Sequence, residues 1–115
     1  MILNFEAEAV EVEENDLGVL VVGFYTEENY LMIQQSLDIN DAVYHIERDD
    51  QSYGGYGGVE KIELSRSKIE VQLDETGKET LDCDSINVDF ETDDETYELL
   101  SEKLKLIFGN SLTVN

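Results

Sequence analysis

The sequence predicts an α+β fold: a mostly antiparallel β-sheet of about six to seven strands, with one C-terminal amphipathic α-helix packed on one face. Three observations lead there. Apolar residues alternate with a period of two in several short segments, as in half-buried strands. One segment alone, ending at Phe108, repeats its apolar residues at helical spacing. The chain has 115 residues, 41% of them hydrophobic, and no proline, which suits one modest core and a single domain over residues 1–115.

The elements follow in chain order. Leu3, Phe5, Ala7 and Ala9 share one phase, after which Val10 and Val12 take over as the apolar positions. A strand with a one-residue bulge near Ala9-Val10 explains the change, because one extra residue exchanges the two faces. Asn15-Asp16-Leu17-Gly18 is turn chemistry, and the apolar run from Val19 to Tyr25 reads as the second, central strand of a hairpin. Tyr30 to Leu37 fits a strand or a short helix, and its β-branched and aromatic content favours the strand. Val43 to Arg48 is a shorter strand. Val59 to Leu64 and Ile69 to Leu73 alternate well, with Ser65-Arg66-Ser67-Lys68 as their tight connection. Asp74 to Leu81 is expected to make one helical turn, with Gly77 inside it or ending it. Ile86, Val88 and Phe90 form the last clear strand.

The C-terminal helix carries the most signals. Thr92 followed by Glu95 has the form of a capping box, and Asp93, Asp94 and Glu95 put negative charge where the helix dipole favours it. Tyr97, Leu100, Leu104 and Ile107 form the apolar stripe, broadened by Leu99 and Phe108. Lys103 and Lys105 lie near the end, and Gly109 is a fitting residue just past it.

Charge narrows the partners. The 28 Asp and Glu against 7 Lys and Arg give a net charge of −21. Residues 1–58 hold 13 acids and 1 base, residues 59–115 hold 15 acids and 6 bases, so neither half hides a basic patch. Such a surface repels nucleic acid and anionic membranes, and it attracts a basic partner. No apolar run reaches the roughly 18 residues of a membrane span, and the N-terminus lacks the basic segment of a secretion signal. The single Cys83 closes no internal disulfide, which points to a reducing, cytoplasmic setting.

Signs of catalysis are sparse. His45 is the only histidine and sits in a strand-like context, where a structural or exposed role is the commoner one. Cys83 lies between Asp82 and Asp84, whose charge opposes a thiolate. The acids at Asp82, Asp84 and Asp89, with Asn87, and the run Asp93 to Glu95 offer oxygen ligands for Ca²⁺ or Mg²⁺, but neither has EF-hand spacing. No catalytic, metal or cofactor residue is therefore assigned. The most distinctive local feature is Asp49 to Val59, where Tyr53 and Tyr56 stand among four glycines behind Asp49 and Asp50. It reads as a tight connection between strands or as a partner-binding loop, with Tyr25 or Tyr30 as further apolar anchors.

Taken in order, the phase-shifted N-terminal strand, Leu17 to Phe24, Tyr30 to Ser36, Gln51 to Gly58, Ile69 to Asp74 with Gly77 and Leu81, Ile86 to Phe90 and the final helix form a pattern. That pattern resembles the immunity proteins of bacterial polymorphic-toxin systems, in particular the immunity protein 10 family. The resemblance spans nearly the whole chain, with the Tyr-Gly-Gly loop its most specific piece. It implies a cytoplasmic antidote that binds a cognate toxin domain, without catalytic residues. Many such toxins are basic nucleases, which an acidic inhibitor would suit. The alternatives are a non-enzymatic acidic interaction or scaffold protein with another basic partner, and a small divalent-metal or ligand-binding domain.

Overall fold

The computed structural model describes residues 1–38 and 42–115. Among them are ten strands and two α-helices: β1 (Ile2–Glu6), β2 (Ala9–Glu14), β3 (Val19–Tyr25), β4 (Tyr30–Ser36), β5 (His45–Arg48), β6 (Asp50–Tyr56), β7 (Val59–Ser65), β8 (Lys68–Leu73), α1 (Glu75–Leu81), β9 (Ser85–Asp89), α2 (Asp94–Phe108) and β10 (Leu112–Val114). The class is α+β, as expected, but the strands form two five-stranded sheets and outnumber the six to seven anticipated. The first sheet runs β1-β9-β8-β7-β10 and the second β2-β3-β4-β5-β6. The second is an antiparallel meander, whereas both edge strands of the first pair in parallel.

The phase change near Ala9 is where the chain leaves one sheet for the other. The Ala7 amide donates to the carbonyl of Asp89 at the end of β9, and the next amide, Glu8, donates to Tyr25 at the end of β3, each at 2.8 Å. A bulge and a strand that turns a corner between sheets both exchange faces, so the sequence pattern is the same for either. The corner is what the fold contains. Leu3 lies in the core from the first sheet, while Val10 and Val12 pack against it from the second.

The hairpin turn forms as its residues demand. Asn15 Oδ1 accepts from the amides of Leu17 (2.9 Å) and Val19 (3.1 Å), and Gly18 takes φ +74°, where a side chain would be strained. β3 is an interior strand between β2 and β4, and Tyr30–Ser36 is a strand, not a helix. The Gly-rich segment is also a strand: β6 pairs with β5 at the sheet edge, after an irregularity in register at Glu47/Arg48.

Both helices bridge the two sheets, in place of one helix lying on one sheet face. α2 packs on β2 and β3 of the second sheet and on β10 of the first, burying Leu100, Leu104 and Phe108. Its cap is Asp93, whose carboxylate accepts from the Thr96 amide (2.8 Å), one residue later than the Thr92 capping box anticipated. The carbonyl of Thr92 is engaged by Arg66 instead (2.8 Å). α1 lies between β6 and β8 and is capped by Asp74. A methyl group on Gly77 would overlap the carbonyl oxygen of Gly58, so α1 approaches the sheet at backbone distance.

Arg48 ties this corner together. It is 7% exposed, and its guanidinium donates to the carbonyls of Leu81 (2.7 Å) and Asp82 (3.0 Å) at the end of α1 and to Asp49 (3.1 Å). Tyr53 stacks on it at 4.2 Å. Across the interior, the buried residues of both sheets and both helices make one apolar cluster, with Phe24 and Phe90 in ring contact at 5.5 Å.

Two stability predictions follow from this corner, both readable by urea denaturation at neutral pH. Arg48→Ala strands two helix carbonyls and should cost about 3 kcal/mol or more, and Arg48→Lys should recover only part of it, because an ammonium lacks the planar fork. Gly77→Ala should cost about 2 kcal/mol through backbone overlap with Gly58. Wild-type stability in either Ala variant would refute the corresponding contact.

Candidate functional site

Alternation along the meander sorts its residues into an inner and an outer face. One rung of the ladder, Val12, Val22, Ile33 and Ile46, points into the core, where the last three are fully buried. The next rung, Glu11, Gly23, Met32, Glu47 and Gly54, points outward, flanked by a rung of Tyr25 and Tyr30 and another of Glu13, Val21, Gln34, His45 and Tyr56. This outer face is the candidate functional site.

Its centre is a tyrosine pair with two acids. Gly23 has no side chain because Tyr25 folds across it: a Cβ there would overlap the phenol. The Tyr25 hydroxyl thereby reaches Glu11 and donates to it (2.9 Å), while the Tyr30 hydroxyl donates to Glu47 on the opposite side. The two rings stack at 6.2 Å. Burial, then the hydrogen bond to a carboxylate, then that carboxylate's charge push both phenols well above the ordinary tyrosine range. At the other end, Tyr56 is 74% exposed and sets its edge on His45, with ring centroids 5.2 Å apart. Beside it an open groove of about 520 Å³ is lined by Val19, Gln34, Ser36, Val43, His45 and Tyr56.

The structure separates the residues that the sequence grouped. Tyr25, Tyr30 and Tyr56 share the outer face, but Tyr53, three residues before Tyr56 on β6, lies against Arg48 beside α1. Asp49 takes φ +63° and accepts from the Asn29 side chain, the Tyr30 amide and Arg48, all of which hold the β5–β6 connection in shape. Asp50 accepts from both the amide and the hydroxyl of Ser52 (2.9 Å each), which hold its carboxyl below the usual range. Glu11, Met32, Gln34, Val43 and Glu47 were not singled out in the sequence. Their signal is their place on the outer rungs of the meander or in its groove, visible only once the register is known.

The acidic clusters and the thiol have local work. Asp82 ends α1 in the left-handed conformation (φ +50°), and Asp84 meets the amino group of Met1 (2.6 Å). Asp93 caps α2 and Asp94 pairs with Arg66 (2.9 Å). Among the described residues, no three His, Cys, Asp or Glu side chains converge as a metal site would require. Burial pushes the Cys83 thiol up, against nucleophilic use.

Charge is segregated as well. The only base of the meander, Arg48, is buried and turned towards α1. The other six, Lys61, Arg66, Lys68, Lys78, Lys103 and Lys105, belong to the first sheet, its turn and the helices. Lys61, Lys68, Arg66 and Lys78 each stand within salt-bridge distance of an acid.

The tyrosine environment predicts a pH response. Tyr25, Tyr30 and Tyr44 all have raised phenol pKa values in the fold, while unfolded tyrosines ionise near 10. Their neutral forms are the stabilised ones, so the contribution is complete below about pH 10 and is lost as pH rises above it. Absorbance at 295 nm should show three of the six tyrosines ionising late, and Tyr25→Phe should remove one of them. Titration of all six together near pH 10 in the folded protein would refute the two hydroxyl–carboxylate contacts.

No curated protein and no solved structure matches the chain. The family model described as Immunity protein 10 does, over residues 6–98. That span begins at the last residue of β1, contains the whole meander and its outer face, and ends within the first turns of α2. With most of its length matched, the chain belongs to the immunity protein 10 family.

Proposed function

We propose that the protein is an antidote, which neutralises a cognate bacterial toxin domain in the cytoplasm by stoichiometric binding and performs no chemistry itself. Membership of the immunity protein 10 family is the observation that carries this reading. The net charge of −21 supports a basic toxin, the nuclease class among them, because an acidic inhibitor can cover the surface such an enzyme uses for phosphate. The state of the two reactive side chains is consistent with binding alone. Cys83 is buried with its thiol pushed up, and the acid nearest His45, Glu47 at 3.8 Å, already receives the Tyr30 hydroxyl. Among the described residues, no helix is long and apolar enough to cross a membrane.

The test is co-expression with the toxin domain encoded beside this chain. A one-to-one complex and rescue of growth are expected. The association rate should fall steeply with added salt, since the screening length shortens from about 10 Å at 0.1 M to about 3 Å at 1 M ionic strength. A rate constant flat across that range would refute electrostatic steering, and absence of any complex would refute the antidote reading.

A further inference from the structure

We infer that the free edge of β2 is a docking site for an extended strand of the toxin domain, which pairs with it through backbone hydrogen bonds and sets Lys or Arg side chains beside Glu11 and Glu13. This rests on the antidote reading above and adds the element that meets the toxin, the mode of contact and the chemistry of the incoming segment.

Backbone geometry selects the edge. β1 and β10 bound the first sheet, β2 and β6 the second, so among the described residues these strands have a neighbour on one side only. Three of them are blunted. β10 has only three residues. β6 meets β5 through a broken register in which residues 51–53 oppose no β5 residue, and α1 lies against it. On β1 the Asn4 side chain turns back onto the Ile2 carbonyl (3.4 Å) and also accepts from Asn87 (3.1 Å). β2 has none of these devices: its six residues pair with β3 in unbroken register and include neither Lys nor Pro. Such an edge is a template for another strand.

The hairpin fixes which groups are left open. The Asn15 amide donates to the Val19 carbonyl (2.9 Å), and bonded pairs alternate along an antiparallel ladder, so Glu13, Glu11 and Ala9 turn their amides and carbonyls to β3. Val10, Val12 and Glu14 point theirs outward, along the open edge. The same alternation sets Glu11 and Glu13 on the outer side, while Val10 and Val12 pack against the core. Charge then decides between occupants. The strand holds Glu11, Glu13 and Glu14 and no base, and the antiparallel self-pairing that joins all three open residues puts Glu11 of one copy opposite Glu13 of the other. Like charges directly opposite are destabilising, so a second copy is disfavoured. A toxin strand with Lys or Arg at alternate positions meets the same acids favourably, and apolar residues between them continue the Val10 and Val12 side.

The experiment uses the full chain and the inactivated toxin domain encoded beside it, with amide hydrogen exchange read by NMR and calorimetric Kd and melting temperature read for each variant. In the complex the amides of Val10, Val12 and Glu14 should exchange about tenfold more slowly or better, since each gains a backbone acceptor. Glu14→Pro sets a ring on the open edge and removes a donor that β3 does not use, so the melting temperature should hold while Kd rises about tenfold or more. Glu14→Ala keeps the amide and should bind within about threefold of wild type. Glu13→Lys should weaken binding about fivefold. Unchanged exchange at the three amides in the complex overturns the edge and leaves the antidote reading standing, as does wild-type affinity in Glu14→Pro or an equal loss in Glu14→Pro and Glu14→Ala. Wild-type affinity in Glu13→Lys overturns the basic chemistry of the incoming strand. Protection of the same amides that rises with the concentration of the free chain makes the occupant a second copy and overturns the proposal. Failure of the unsubstituted chain to bind overturns both readings. Should Glu14→Pro not fold, exchange in the unsubstituted chain decides alone.

Discussion

The guanidinium of Arg48 is the contact on which the rest of this fold depends. A buried charge is costly unless every donor is used, and here the donors meet two carbonyls at the end of α1 and the carboxylate of Asp49. The exchange works in both directions. α1 has only seven residues, too few to hold as an isolated helix, and a cation at its C-terminal end offsets the partial negative charge of its unpaired carbonyls. Arg48 in turn sits at the end of β5, so the same contact holds the β5–β6 edge of the meander to the helix that reaches β8 of the other sheet. Gly58 and Gly77 allow the backbone approach that the arginine then secures.

A chain with so many acids must also limit its own repulsion, and the two sheets do this by different means. On the first sheet, lysines stand beside glutamates on the same strand, which lowers net charge locally. On the meander, phenol hydroxyls take that place: Tyr25 and Tyr30 donate to the carboxylates of Glu11 and Glu47 without bringing a countercharge. Gly23 is part of this arrangement, because only a residue without a side chain lets the Tyr25 ring cross to Glu11. The meander thus holds the carboxylates of Glu11 and Glu47 in place with hydroxyl donors, while the first sheet sets lysines beside its glutamates.

Several elements were legible because their signals are local. Asn15-Asp16-Leu17-Gly18 closes a hairpin through the side chain of Asn15 and the positive φ of Gly18, both readable from residue type. The apolar stripe of α2 depends only on spacing within the helix. The capping residue was displaced by one, because Thr92-x-x-Glu95 and Asp93-x-x-Thr96 overlap and both are acceptable locally. Engagement of the Thr92 carbonyl by Arg66, distant in sequence, goes with the second.

What the sequence by itself determined is the alternation of the strands, the acidic character, the one long helix and, through the order of its segments, the family. These are properties of residues and their near neighbours. Tertiary structure alone decided that the phase change at Ala9 is a passage between two sheets, since Ala7 and Glu8 satisfy their amides on opposite sides of the core. It also decided which tyrosines stand together. Tyr53 and Tyr56 are neighbours in the chain, but an odd separation on a strand turns them to opposite faces, one onto Arg48 and the other onto His45. Tyr25 and Tyr30 meet across a hairpin register, and their acids come from the strands on either side, β2 and β5. A surface made of side chains from five strands depends on pairing, and pairing is set by which face of each strand the core claims.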